Sequence, residues 1–145
     1  MANVAQKDAL KVLARETRAQ LGSLAVLVTE LFPSHEEILA KSGVTFPEPL
    51  TNIVPLEYSI CQHVVGMNYL LVVEDALTHP LLVGNKTVHD FGVMAYIGAP
   101  VYAGSEAASG AVCAIEGRPR RWSDVDVDLI KSAALDATGI LSSKG

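Results

Sequence analysis

The residues best equipped for chemistry gather in Ser59-Ile60-Cys61-Gln62-His63-Val64-Val65, just before the apolar run Tyr69–Val73 and the acids Glu74 and Asp75. A thiol near an imidazole suggests a nucleophile activated by a base. Two positions apart on a helix, however, side chains point in different directions. Cys61 therefore reads first as a small buried apolar residue, and Cys113, in the apolar run Gly110–Ile115, reads as core. Neither cysteine belongs to a CxxC pair, which removes that kind of zinc site. Asp75 stands where it can cap a turn by accepting backbone N–H bonds, and His79-Pro80 reads as a turn. Tyr96 faces inward from a strand as a pocket wall. Trp122 precedes the last helix and reads as a staple of its approach angle.

Periodicity and breakers define the elements that hold these residues. Residues 4–20 predict an amphipathic helix with Ala5, Ala9, Val12 and Leu13 at helical spacing. Leu24–Val28 predicts a strand, Pro33-Ser34-His35 a turn, and Glu37–Lys41 a second strand ended by Gly43. Pro47, Pro49 and Pro55 predict an irregular connection over 44–57, of the long kind that borders binding sites. A short helix is expected over 58–65, stopped by Gly66, then a strand over 69–73 and irregular helical turns over 78–90. Strands over 93–102 and 109–115 flank a hairpin turn at Gly104-Ser105-Glu106, with Pro100 marking an edge or a bulge. The last helix is the clearest. Ser123 and Asp126 form a capping box, Asp124, Asp126 and Asp128 favour its start, and an apolar stripe runs from Val125 through Leu129, Ile130, Ala133, Ala137 and Ile140 to Leu141. This order predicts an α+β domain: an antiparallel sheet of five or six strands, terminal helices on one face and irregular helical inserts, 44–66 and 76–92, on the other.

A chain of 145 residues, half of them hydrophobic, forms one domain with a sizeable core. A net charge of −5 argues against nucleic acid as a partner. The basic cluster Arg118-Pro119-Arg120-Arg121 is short and reads as a solvated loop. No apolar run reaches the ~18 residues of a spanning helix, and the N-terminus lacks the pattern of a signal peptide. The expectation is a soluble cytoplasmic protein with no membrane partner.

The sequence resembles a GAF domain of the bacterial sensory type, as attached to histidine kinases, cyclic-dinucleotide enzymes and regulated phosphatases. The resemblance covers about residues 5–142 of a single domain, 1–145. It rests on Ser59-x-Cys61-Gln62-His63-Val64-Val65, Leu71–Ala76, His79-Pro80-Leu81, Asn85, Gly92-Val93-x-Ala95-Tyr96-x-Gly98-Ala99-Pro100-Val101, Gly110–Ile115 and Pro119-Arg120-Arg121-Trp122-Ser123-x-x-Asp126. Glu116 departs from the family's usual Asp.

The resemblance implies a regulatory module that binds an unidentified small molecule between the sheet and the inserts, with contacts from Tyr58, Cys61, Asp75, His89, Tyr96 and Glu116. It implies no catalysis, and signalling through terminal helices paired in a homodimer, toward a histidine kinase, phosphatase or cyclic-dinucleotide enzyme. The cofactor is unknown. Asn85-Lys86 with Phe91 lacks the acidic end of the cyclic-nucleotide signature, bilin motifs are absent, and four histidines are no signal for haem. Two alternatives stay open: a thiol redox sensor or methionine-sulfoxide-reductase-like enzyme using Cys61, and a ligand-free dimerisation module. The chain ends fit either a stand-alone protein or a segment of a longer kinase or phosphatase.

Overall fold

The computed structural model describes residues 2–44, 51–104 and 106–142. Its elements are α1 (Val4–Leu21), β1 (Ala25–Leu31), β2 (His35–Gly43), β3 (Ile53–Pro55), a 3₁₀ turn (Leu56–Tyr58), α2 (Cys61–Met67), β4 (Leu71–Val73), α3 (Lys86–Phe91), β5 (Ala95–Val101), β6 (Gly110–Glu116) and α4 (Asp124–Ser142). The described strands form one sheet in the order β3-β2-β1-β6-β5-β4, each neighbour pair antiparallel. The expected α+β architecture is thus the observed one.

Both faces of the sheet are covered. Alternation along β5 sends Ala95, Ile97, Ala99 and Val101 to one face, where they meet Leu10, Ala14 and Leu21 of α1 and Ile130, Ala133, Ala134 and Ala137 of α4. Tyr96 takes the other face with Cys113 and Ile115, under Cys61 and Val64 of α2 and Val88 of α3. Removing such side chains from water supplies about 1.5–3 kcal/mol for each large one.

The caps of both long helices are local. Asn3 and Gln6 form a capping box on α1, and Ser123 and Asp126 form the expected one on α4. The buried stripe of α1 is Leu10, Ala14, Thr17 and Leu21, while the predicted Ala5, Ala9 and Val12 are exposed. On α4, Val125 is likewise exposed. The stripes rotate because each helix packs at once on the sheet and on the other helix, which no single-helix pattern encodes.

Other boundaries moved for identifiable reasons. Helix α2 runs through Gly66 and stops at Asn68, whose φ of 54° supplies the left-handed cap. The connection over 44–57 contains β3 and leads into the 3₁₀ turn; its residues 45–50 lie outside the described residues. Ser105 of the predicted hairpin turn also lies outside them. Pro100 sits where β5 has β6 on one side and no β4 pairing on the other, since β4 reaches only Tyr96–Gly98.

The basic cluster is more than a solvated loop. Arg120 bonds Glu116 at 2.7 Å, the Leu21 carbonyl at 2.8 Å and Asp126 at 3.3 Å, and stacks on the Trp122 ring. The Trp122 indole N–H donates to the Val73 carbonyl.

Glycine substitutions test the packing. A Cβ on Gly110 would lie 1.9 Å from the Thr29 carbonyl oxygen, so Gly110→Ala is expected to cost about 1–3 kcal/mol or more. A Cβ on Gly66 meets nothing, and Gly66→Ala should stabilise the fold by about 0.5–1 kcal/mol. Urea denaturation of both variants reads the two signs.

Candidate functional site

One extra residue in β2 creates the site. Val28 pairs with Ala40 and Thr29 with Ile38, so Leu39 is a β-bulge. Leu39 and Ala40 both join the core under the terminal helices. Past the bulge the side-chain alternation is inverted, and Ile38 and Glu36 turn to the insert face. Without it, Glu36 would share a face with Ala40.

On that face a cavity of about 40 Å³, partly open to solvent, lies between sheet and inserts. The sheet contributes Leu27, Glu36, Ile38, Val54, Tyr96, Cys113 and Ile115, and the inserts contribute Tyr58, Ile60, Cys61, Thr87 and Val93. Leu27 pairs with Cys113, and Cys113 with Gly98, so one row crosses the sheet floor. The Tyr96 ring lies along its own strand over Gly98, where a Cβ would stand 2.5 Å from its hydroxyl.

Glu36 is only 5% exposed. Its Oε1 accepts from the Ser59 hydroxyl at 2.5 Å and from the Cys61 thiol at 2.8 Å; among the described residues no hydrogen bond reaches Oε2. Burial lifts the Glu36 carboxyl above its usual range, and the bonds from Cys61 and Ser59 offset this in part. Burial also pushes the Cys61 thiol well up, with the Glu36 charge adding to it, and the Cys113 thiol up to about 12. Both cysteines are therefore held as thiols, the form that is a poor nucleophile. Tyr96 is fully enclosed and its phenol is likewise pushed well up by burial. The Cys113 thiol is a weak hydrogen-bonding neighbour of the Tyr96 hydroxyl, and no partner of normal geometry reaches that hydroxyl among the described residues. Such a group costs about 1–3 kcal/mol.

The insert wall is clasped by crossing bonds. Ser59 accepts from the Gln62 N–H and its carbonyl from the Asn85 amide, while Asn85 caps α3. The Thr87 hydroxyl donates to the Tyr58 carbonyl, and the Tyr58 hydroxyl to Asp90 at 2.8 Å.

Of the six residues expected to contact a ligand, Tyr58, Cys61 and Tyr96 line the cavity. The other three sit elsewhere. Asp75 accepts the Leu77 N–H and caps a turn, the His89 ring bonds the Val83 carbonyl, and Glu116 accepts from Arg120 and the Leu24 N–H. His63 is half-buried, and burial, with His79 nearby, lowers its pKa; the hydrogen bond of Cys61 goes to Glu36 instead. Glu36 and Ser59 are the members that sequence reasoning missed. Beside Glu37, Glu36 looks like half of a solvated acid pair, and no local signal marks the bulge. Among the described residues no group of three or more His, Cys, Asp or Glu side chains could hold a metal ion, and no helix is long and apolar enough to cross a membrane.

A family model described as GAF domain matches residues 7–140. Similar solved structures include the GAF domain of the Acinetobacter phosphoenolpyruvate-protein phosphotransferase (12% identity, 97% of this chain and 84% of that one, TM-score 0.74). A second is the blue-light-absorbing form of the Thermosynechococcus elongatus PixJ GAF domain (15%, 97% and 91%, 0.73). A third is the free methionine-R-sulfoxide reductase of Neisseria meningitidis with its substrate (14%, 94% and 77%, 0.74). At these identities the likeness is one of fold. No curated protein matches the chain.

The raised Glu36 pKa has a definite sign in stability. The stability it contributes is complete below the ordinary value of 4.5 and is lost as pH rises through the raised one. Glu36→Gln keeps an acceptor for Ser59 and Cys61 and cannot ionise. Its stability relative to the parent should rise between about pH 4 and pH 8, by about 1.4 kcal/mol for each tenfold change in the proton affinity of the carboxyl on folding. Urea denaturation across that range checks it; a pH-independent difference would mean that the carboxyl titrates normally.

Proposed function

Because the chain belongs to the GAF-domain family, we propose that it is a regulatory small-molecule-sensing module whose ligand sits between the sheet and the inserts at 44–66 and 76–92. The observation that carries this reading is a partly open cavity walled in part by Glu36, a buried carboxyl with only one of its oxygens hydrogen-bonded among the described residues. A folded chain that leaves such a group unpaired is less stable than it need be, and a ligand relieves that cost. A module that only dimerised would fill the space with its own side chains.

The signal would leave through α1 and α4, paired with those of a second copy. These helices expose Val4, Val12, Val125 and Leu135, and a groove lined by Ala9, Val12, Leu13, Leu135 and Ile140, with Glu16 and Asp136 among them, runs between them. A histidine kinase, phosphatase or cyclic-dinucleotide enzyme would receive the signal, in the cytoplasm and without nucleic acid. No chromophore is assigned, since the sequence lacks the bilin motifs. The double substitution Val12→Asp with Leu135→Asp is expected to turn a dimer into a monomer in sedimentation equilibrium with the helical circular dichroism kept. A parent protein that is monomeric at high concentration overturns the signalling route.

A second reading has a specific support, the likeness of fold to methionine-sulfoxide reductases. It requires an accessible thiolate, whereas Cys61 and Cys113 are buried and held protonated. The expected result is that neither thiol of the folded protein reacts with iodoacetamide at about pH 8 and both react once it is denatured. Rapid native reaction of Cys61 would favour the enzyme.

A further inference from the structure

The cavity holds an acid and no base. Among the described lining side chains Glu36 is the one carboxyl, and Lys, Arg and His are absent. An anionic head, whether phosphate or carboxylate, would be buried beside Glu36 with nothing to compensate it. A head that donates hydrogen bonds finds an acceptor in place in the Glu36 carboxyl, whose Oε2 receives no hydrogen bond among the described residues. Space sets the size. At roughly 10–15 Å³ per water, a cavity of about 40 Å³ takes only a few heavy atoms unless the inserts move. The rest of its wall is mostly apolar, with the aliphatic Leu27, Ile38, Val54, Ile60, Val93 and Ile115 beside uncharged Tyr, Thr and Cys side chains.

We propose that this cavity binds a small primary amine, its ammonium donating to Glu36 and its short alkyl body lying against Leu27, Ile38 and Val93. The inference rests on the reading of the cavity as a ligand site. The proton balance is simple. The ammonium enters with its three protons, the protonated Glu36 carboxyl loses one to solvent, and the carboxylate pairs with the ammonium. Binding therefore tightens as pH rises through the titration of Glu36. The other titratable groups facing it are Cys61 of α2, Tyr96 of β5 and Cys113 of β6, all neutral in that range because burial raises them. On its own strand His35 and Glu37 pair with each other. Glu57 beside the 3₁₀ turn pairs with Lys86 outside the cavity.

Three probes of one length test this: n-propylammonium, n-propanol and propionate, titrated into the full chain and followed by amide chemical shifts of Ile38, Cys61 and Tyr96. The expected result is saturable shifts with n-propylammonium, little or none with propionate, and an affinity that increases with pH. Glu36→Gln should weaken the amine by about tenfold or more, as loss of a charged hydrogen bond does, and leave n-propanol unchanged. Should that variant not fold, Val93→Ile, which keeps the carboxyl and adds a methylene to the wall, should weaken the amine several-fold by filling the space of its alkyl body. Equal or tighter binding of propanol or propionate at these residues overturns the amine while sparing the sensory reading. If none of the three moves a cavity resonance, both fall.

Discussion

A sheet covered on both faces must decide, residue by residue, which side chains go to which core, and in β2 that decision is made by the extra residue at Leu39. Strand alternation has no tolerance for a shift of one. Before the bulge Ala40 serves the helical core, and after it Ile38 and Glu36 serve the cavity. The carboxyl, the thiol that bonds it and the unpaired phenol meet because of this single irregularity. No residue near the bulge is chemically unusual, so the site is a product of register.

The two cores are joined at one corner. Arg120 bridges Glu116 at the end of β6, Asp126 at the start of α4 and the last carbonyl of α1, and its stacked neighbour Trp122 bonds to β4. Three elements are tied there by charge-assisted bonds of Arg120 that are mostly shielded from solvent, and the neutral indole bond adds β4. The opposite side of the insert layer is clasped by lighter, neutral bonds around Ser59, Asn85 and Thr87. On that side the charged contacts, Tyr58 with Asp90 and Lys86 with Glu57, lie at the exposed rim.

Much of the fold was legible in the chain. The capping box at Ser123 and Asp126, the strands at β5 and β6 and the separation of terminal helices from inserts all rest on local chemistry and appear as expected. The helix faces were less legible, since Leu10 and Ala14 of α1 are chosen by α4 and the sheet together. Half of the site was visible. Tyr58, Cys61 and Tyr96 sit on elements with clear patterns, whereas Glu36 owes its burial to the bulge and Ser59 its role to Glu36. Asp75, His89 and Glu116, expected as ligand contacts, bond backbone groups and Arg120 outside the cavity.

Gly98 joins backbone geometry to the wall of the site. The Tyr96 ring occupies the volume where any other residue at 98 would place its first side-chain carbon. Glycine there lets an aromatic ring lie flat on its own strand, so the bare stretch of backbone at 98 is what allows Tyr96 to be part of the cavity wall. A side chain at 98 would be accommodated only by moving the end of that ring.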